Sequence, residues 1–173
     1  VLGALILLFI ISPLLSLVLQ SSFPEIKETL ADSEVTDSIF MTIWVSIAAT
    51  AVFSIAAIPL AYLLARKNFF GKSFVNAVID IPVMIPHSAA GIALLGFLSR
   101  NSAMGSLAES AGLSFVGSPL GIGMAMAFVS LPFLINAARD GFAKVPIQLE
   151  KAAHNLGASS FKSFMLISVP LAK

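Results

Sequence analysis

Val145-Pro-Ile-Gln-Leu-Glu-Lys-Ala-Ala-His-Asn-Leu-Gly-Ala-Ser-Ser-Phe-Lys-Ser-Phe-Met-Leu-Ile-Ser-Val-Pro170 is the most polar long segment in the second half of a very apolar chain. Pro146 suits the first turn of a helix, where a missing N–H costs nothing. Leu149, Ala152, Ala153 and Leu156 then recur at i, i+3, i+4 and i+7, which gives one apolar, mostly small face. Gly157 falls where such a helix should stop, because glycine enters the left-handed conformation past a helix end without steric cost. Ser159 or Ser160 can cap a second helix, which runs straight into the apolar residues 164–172. The stretch predicts a short, bent helical unit joined directly to a membrane span.

The whole chain supports that setting. Of its 173 residues, 58% are hydrophobic and 11% charged, whereas soluble domains carry about a quarter charged. This composition implies an all-α integral membrane protein. There is no Cys, which excludes a disulfide framework or a thiolate metal site. The net charge of +1 says nothing about partners; the placement of the charges does.

Residues 1–24 are uncharged and long enough to span. No small-residue cleavage site follows, so a retained span over about 1–20 is expected. Residues 25–37 hold five acids (Glu25, Glu28, Asp32, Glu34, Asp37) against Lys27. The charge-free run 39–65 is a second span, with Ser46, Thr50, Ser54, Ala57 and Ala61 as a stripe of small residues of the kind that packs helices closely in lipid. Arg66-Lys-Asn-Phe-Phe-Gly-Lys72 carries three cations and no acid, the mark of a cytoplasmic loop. Further spans are expected over 74–99 and 117–138, and a fifth begins at 163–173. The N-terminus, 66–73 and 139–162 then lie in the cytoplasm, and the acidic loop and 100–116 outside. The final apolar run is too short to cross a bilayer, so the single transmembrane domain, 1–173, is expected to be incomplete at its C-terminal end.

The third span carries the oddest chemistry: Ile79-Asp-Ile-Pro-Val-Met-Ile-Pro-His-Ser-Ala-Ala-Gly91. Pro82 and Pro86 each remove a backbone donor, so the helix should kink or break. Broken helices at membrane depth persist only inside protein or along a cavity. Asp80, His87 and Ser88 are therefore candidate pathway groups, with Asp80 and His87 on one face if the helix were continuous. Structural roles compete: Asp80 could cap a helix near the basic loop, and His87 could bond a neighbour. Pro132 should kink the fourth span.

The opening stretch resembles the signature loop of ABC-importer permeases: Glu-Ala-Ala, three residues, Gly, nine residues, Ile, one residue, Leu-Pro. Ala152, Ala153, Gly157, Ile167 and Pro170 fall in register. Lys151 stands at the Glu position, with Glu150 one place earlier, and Val169 replaces Leu. Ile58-Pro-Leu-Ala-Tyr-Leu-Leu-Ala-Arg66 with Phe70-Gly-Lys72, residues 79–94, and Phe128-Val-Ser-Leu-Pro-Phe133 look like the permeases of oxyanion importers, the molybdate/tungstate branch first and the sulfate branch next.

The resemblance implies a helical bundle of about six spans, five of them begun here, with a cytoplasmic coupling helix between spans four and five. Its ATPase-coupling residues would be Leu149, Glu150, Lys151, Ala152, Ala153, His154, Leu156 and Gly157, and the pathway break Asp80, Pro82, Pro86, His87 and Ser88. It also implies a cytoplasmic ATP-binding subunit, a second copy of the permease, an external solute-binding protein and a prokaryotic plasma membrane. No cofactor, metal or catalytic residue is implied, since ATP hydrolysis belongs to the partner. No nucleic-acid partner is expected either: a DNA-reading second helix needs polar or basic side chains, and Phe161, Phe164, Met165, Leu166 and Ile167 stand there. A membrane enzyme using Asp80, His87 and Ser88 lacks a second acid and an oxyanion motif. A membrane scaffold would need neither a broken span nor a register-matched loop.

Overall fold

The computed structural model describes residues 2–172, and among these every regular element is helical. The expected span limits at Val1 and Lys173 lie outside the described residues. Three helices are long and apolar enough to cross a bilayer, or four if a bent pair is counted as one span. The described chain divides into two compact units, one up to Ile43 and one from Trp44 onward.

In the first unit, α1 (Leu2–Gln20) passes through Pro13 without a break and has no buried residue. The acidic stretch is itself helical. α2 (Phe23–Ala31) starts with a reciprocal cap, in which the Glu25 N–H donates to Ser22 Oγ at 3.4 Å and the Ser22 N–H to Glu25 Oε2 at 3.0 Å. That cap satisfies two N–H groups that a helix start leaves free, and it holds the Glu25 carboxyl below its ordinary value. α3 (Ser33–Arg66) follows at once. Its 34 residues make a rod of about 50 Å at 1.5 Å per residue, longer than a hydrocarbon core of about 30 Å.

The second unit is built on the later part of α3 and on α7 (Pro119–Lys144). Ala57, Ala61 and Leu64 from α3 pack with Ile135 and Phe142 from α7, and Val75, Ile79, Phe164 and Val169 close around them. Apolar surface alone gives helices no reason to associate in lipid, so close fit must. Ala61 is fully buried and Ala57 3% exposed, which lets the backbones approach. Gly123 serves the same end, since a Cβ there would lie 3.1 Å from Val45 Cγ1. α7 runs as one helix through Pro132.

The stretch expected as the third span is two helices, α4 (Lys72–Met84) and α5 (His87–Leu98), which diverge by 109°, the form of a broken span or a re-entrant loop. Pro82 is absorbed inside α4. The break falls at Ile85, which is extended with φ −87° and ψ 136°. The residue before a proline is pushed out of the helical region, and Pro86 supplies no N–H to continue the ladder. Asp80 and His87 thus sit on different helices, and the face they would share on a continuous helix does not exist. α6 (Ala103–Ser110), capped by Ser102, bridges to Ser118, which caps α7.

Candidate functional site

The bent unit begins where α7 ends. Val145 is extended, Pro146 is the N-cap rather than the first helical residue, and α8 covers Ile147–Asn155. Gly157 then takes φ +88°. Its N–H donates to the His154 carbonyl and the Ala158 N–H to the Ala153 carbonyl, both at 2.9 Å. These two bonds close the helix end in the left-handed turn that favours glycine. Of the two candidate caps, Ser159 is the one used, accepting from the Lys162 N–H at 3.3 Å. α9 (Ser160–Ser163) passes into a π-helical turn, Phe164–Ser168, and then α10 (Val169–Leu171).

Beneath this elbow lies the carboxylate of Glu150. Glu150 is only 7% exposed. Its Oε1 accepts from Arg66 Nε at 2.9 Å, Arg66 Nη2 at 2.6 Å and Ser168 Oγ at 2.8 Å. Its Oε2 accepts from the Tyr62 hydroxyl at 2.8 Å. Arg66 Nη2 also donates to the Val145 carbonyl at 2.9 Å, at the C-cap of α7. Four segments thus meet at one ion pair: the end of α3, the end of α7, α8 and the π turn. Tyr62 is held against Phe142 and Phe164, edge-on, with ring centroids 5.4 and 4.8 Å away. Burial pushes the Glu150 carboxyl up, but the hydrogen bonds from Ser168, Tyr62 and Arg66 and the Arg66 charge outweigh it and hold it below its ordinary value.

The π turn explains how Ser168 arrives there. Ser163 and Ser168 are five residues apart and are 2% and 0% exposed. In an α-helix residues five apart point about 140° away from each other, so both could not face inward; the wider turn allows it. Among the described residues the Ser163 hydroxyl finds no hydrogen-bond partner. The segment after α10 also passes so close to α7 that a side chain on Gly141 would collide with the Ala172 backbone.

The structure divides the expected coupling residues between two faces of α8. Glu150 and Ala153 turn inward. Leu149, Lys151, Ala152, His154 and Leu156 are exposed, Leu149 at 43% and Leu156 at 90%. The face expected from Leu149, Ala152, Ala153 and Leu156 is therefore mostly outside, because Arg66 makes the carboxylate side the one worth burying. Tyr62, Arg66 and Ser168 were not singled out beforehand. A hint existed: Arg66 ends a charge-free span, and Glu150 was placed on the same side of the membrane.

The bent pair α4–α5 forms a second polar region. Asp80 Oδ1 accepts from Asn136 Nδ2 at 2.8 Å, which joins α4 to α7. One turn away at each end, Arg139 Nη1 reaches Asn76 Oδ1 at 3.4 Å. Across the break, His87 opens α5 and lines a cavity of about 480 Å³ with Ser46, Thr50, Ala125, Met126, Val129 and Ser130. Hydroxyls and an imidazole line this space and no carboxylate does. Ser88 is exposed beside His87. Among the described residues no three His, Asp or Glu side chains are grouped to hold a metal ion.

Comparison with known proteins returns a family described as "Binding-protein-dependent transport system inner membrane component", matching residues 57–173. The chain is 39% identical over 173 residues to the molybdate/tungstate transport system permease protein of Thermococcus kodakarensis, covering 99% of this chain and 65% of that protein. It is 41% identical over 116 residues to the molybdenum transport system permease protein of Haemophilus influenzae, covering 66% and 51%. A probable sulfate transport system permease protein of Chlorokybus atmophyticus is 30% identical over 164 residues, covering 93% and 57%. The chain thus spans 65% or less of the length of these relatives.

Proposed function

The chain belongs to the binding-protein-dependent transport system inner membrane components, and on that premise we propose that it is the membrane-spanning subunit of an ATP-driven oxyanion importer, with molybdate or tungstate as substrate. The observation that carries this reading is the elbow. α8 presents Leu149, Lys151 and Leu156 on its exposed side, while its inner side is bonded to the end of α3 and to the π turn. A cytoplasmic ATPase would receive the exposed side in a groove. Closure of the ATPase pair around ATP would move α8, and the attached spans would rock between two access states. The reading places ATP hydrolysis in that partner, a second permease copy across a shared path, and a solute-binding protein outside. It also places the N-terminus and residues 139–162 in the cytoplasm of a prokaryotic cell.

The broken span supplies the pathway in this reading. A tetrahedral oxyanion needs donors rather than acids: hydroxyls, imidazole N–H and the free N–H groups of a helix start. The space beside His87 offers Ser46, Thr50 and Ser130 and no carboxylate. Similarity over 93% of the chain to a sulfate-named permease makes sulfate the second reading.

The test is ATP-dependent uptake of radiolabelled molybdate by the subunit assembled with its ATPase and binding protein, in competition with tungstate and with sulfate. Competition by tungstate alone is the expected result. Competition by sulfate moves the assignment to the sulfate branch, and an assembly that binds no ATPase overturns the importer reading.

A further inference from the structure

We propose that Glu150 and Arg66 are positioning residues for transport: their buried ion pair, completed by Tyr62 and by Ser168 on the π turn, makes α8 move as one body with the ends of three spans. The inference rests on the importer reading above and deepens it by separating two jobs on one short helix. The exposed face of α8 meets a partner; the buried carboxylate passes the motion on.

The geometry argues for this division. α8 is nine residues long and flanked by two bends, at Val145–Pro146 and at Gly157. A short helix between two bends would swing by itself unless something other than the chain tied it down. Glu150 is that tie. Both its oxygens are occupied, by donors from α3 and from the π turn. The same guanidinium takes the carbonyl that ends α7. Bonds with an ionised donor and acceptor are about twice as strong as neutral ones, and this pair is shielded from water, with side chains 10% and 9% exposed. The π turn fits the same role. It replaces regular helix geometry only where Ser168 must reach the carboxylate, and such turns concentrate at functional sites.

Glu150→Gln isolates the charge. A glutamine carbonyl can still accept from Arg66 and Ser168, and its amide can donate to the Tyr62 oxygen. A double variant, Arg66→Met with Glu150→Met, fills the same space without any charge, and such exchanges are often well tolerated by the fold. Both are assembled with the ATPase and the binding protein, and ATP hydrolysed is measured against radiolabelled molybdate taken up, per assembled complex. The expected result is an assembled, hydrolysing complex in which the ATP spent per anion rises about tenfold or more, the size that loss of a charge-assisted bond gives. A merely structural role lowers the yield of complex and leaves that ratio unchanged; an unchanged ratio in either variant overturns the proposal. If the unsubstituted transporter shows no ATP-driven uptake, the importer reading falls, and this role with it.

Discussion

Glu150 and Asp80 are both carboxylates in a chain with few of them, and their surroundings differ in kind. Glu150 accepts four hydrogen bonds from three residues and is nearly closed off from solvent. Asp80 accepts one, from Asn136, and stays half-buried. Around Glu150, the Arg66 cation, the Tyr62 phenol and the Ser168 hydroxyl are packed together with the Phe142 and Phe164 rings. Around the break at Ile85, His87 and Ser88 stand exposed beside an open cavity. The first region draws four segments onto one ion pair, whereas the second joins its helices through single bonds beside an open cavity.

The sharpest way to break this comparison is Glu150→Ala. It strands the Arg66 guanidinium in a buried site, which costs about 3–5 kcal/mol, and thermal unfolding in detergent should show it. Asp80→Ala should cost far less, about 1 kcal/mol, because Asn136 loses a single partner that water can partly replace. Equal losses at the two sites would erase the distinction.

Gly157→Val acts between them. The left-handed turn at φ +88° costs a side chain roughly 1–2 kcal/mol, and open space around the position rules out a clash as the cause. The expected outcome is a protein that inserts and binds its ATPase but takes up molybdate poorly.

At the break, Ser88→Asp should reduce oxyanion uptake through like-charge repulsion and leave ATPase binding intact. Unchanged uptake would remove Ser88 from the pathway.

The acid response sharpens the comparison further. The folded Glu150 titrates below its ordinary value, so its stabilising contribution is complete above the unfolded value of about 4.3. It is lost only as pH falls through the lower folded value. An unfolding transition followed from pH 8 to 3 should keep this contribution down to the unfolded value, and Glu150→Gln should remove the acid-side loss. The smallest effect belongs to Ser163→Ala, which deletes a buried hydroxyl with no partner among the described residues. It should be neutral or stabilising by up to about 1 kcal/mol, read as a melting shift.

Local features were readable wherever the physics is local. Proline before a helix break, glycine after a helix end and serine at a helix start act through one or two neighbouring residues. The break beside Pro86, the turn at Gly157 and the cap at Ser159 could therefore be located in the sequence, the last of them to one of two serines. The faces of α8 mark a limit of another kind. Periodicity says which residues share a side, but it does not say which side is buried.

The sequence by itself determined an all-helical membrane chain, its family register from Ala152 to Pro170, and the points where its helices bend. These follow from composition and from backbone chemistry within a few residues. Only the tertiary structure decided that Glu150 turns inward, because its counter-charge lies 84 positions earlier and its fourth hydrogen bond depends on a π turn. The worth of a buried charge is set by what folds against it, and no window of neighbouring residues contains that partner.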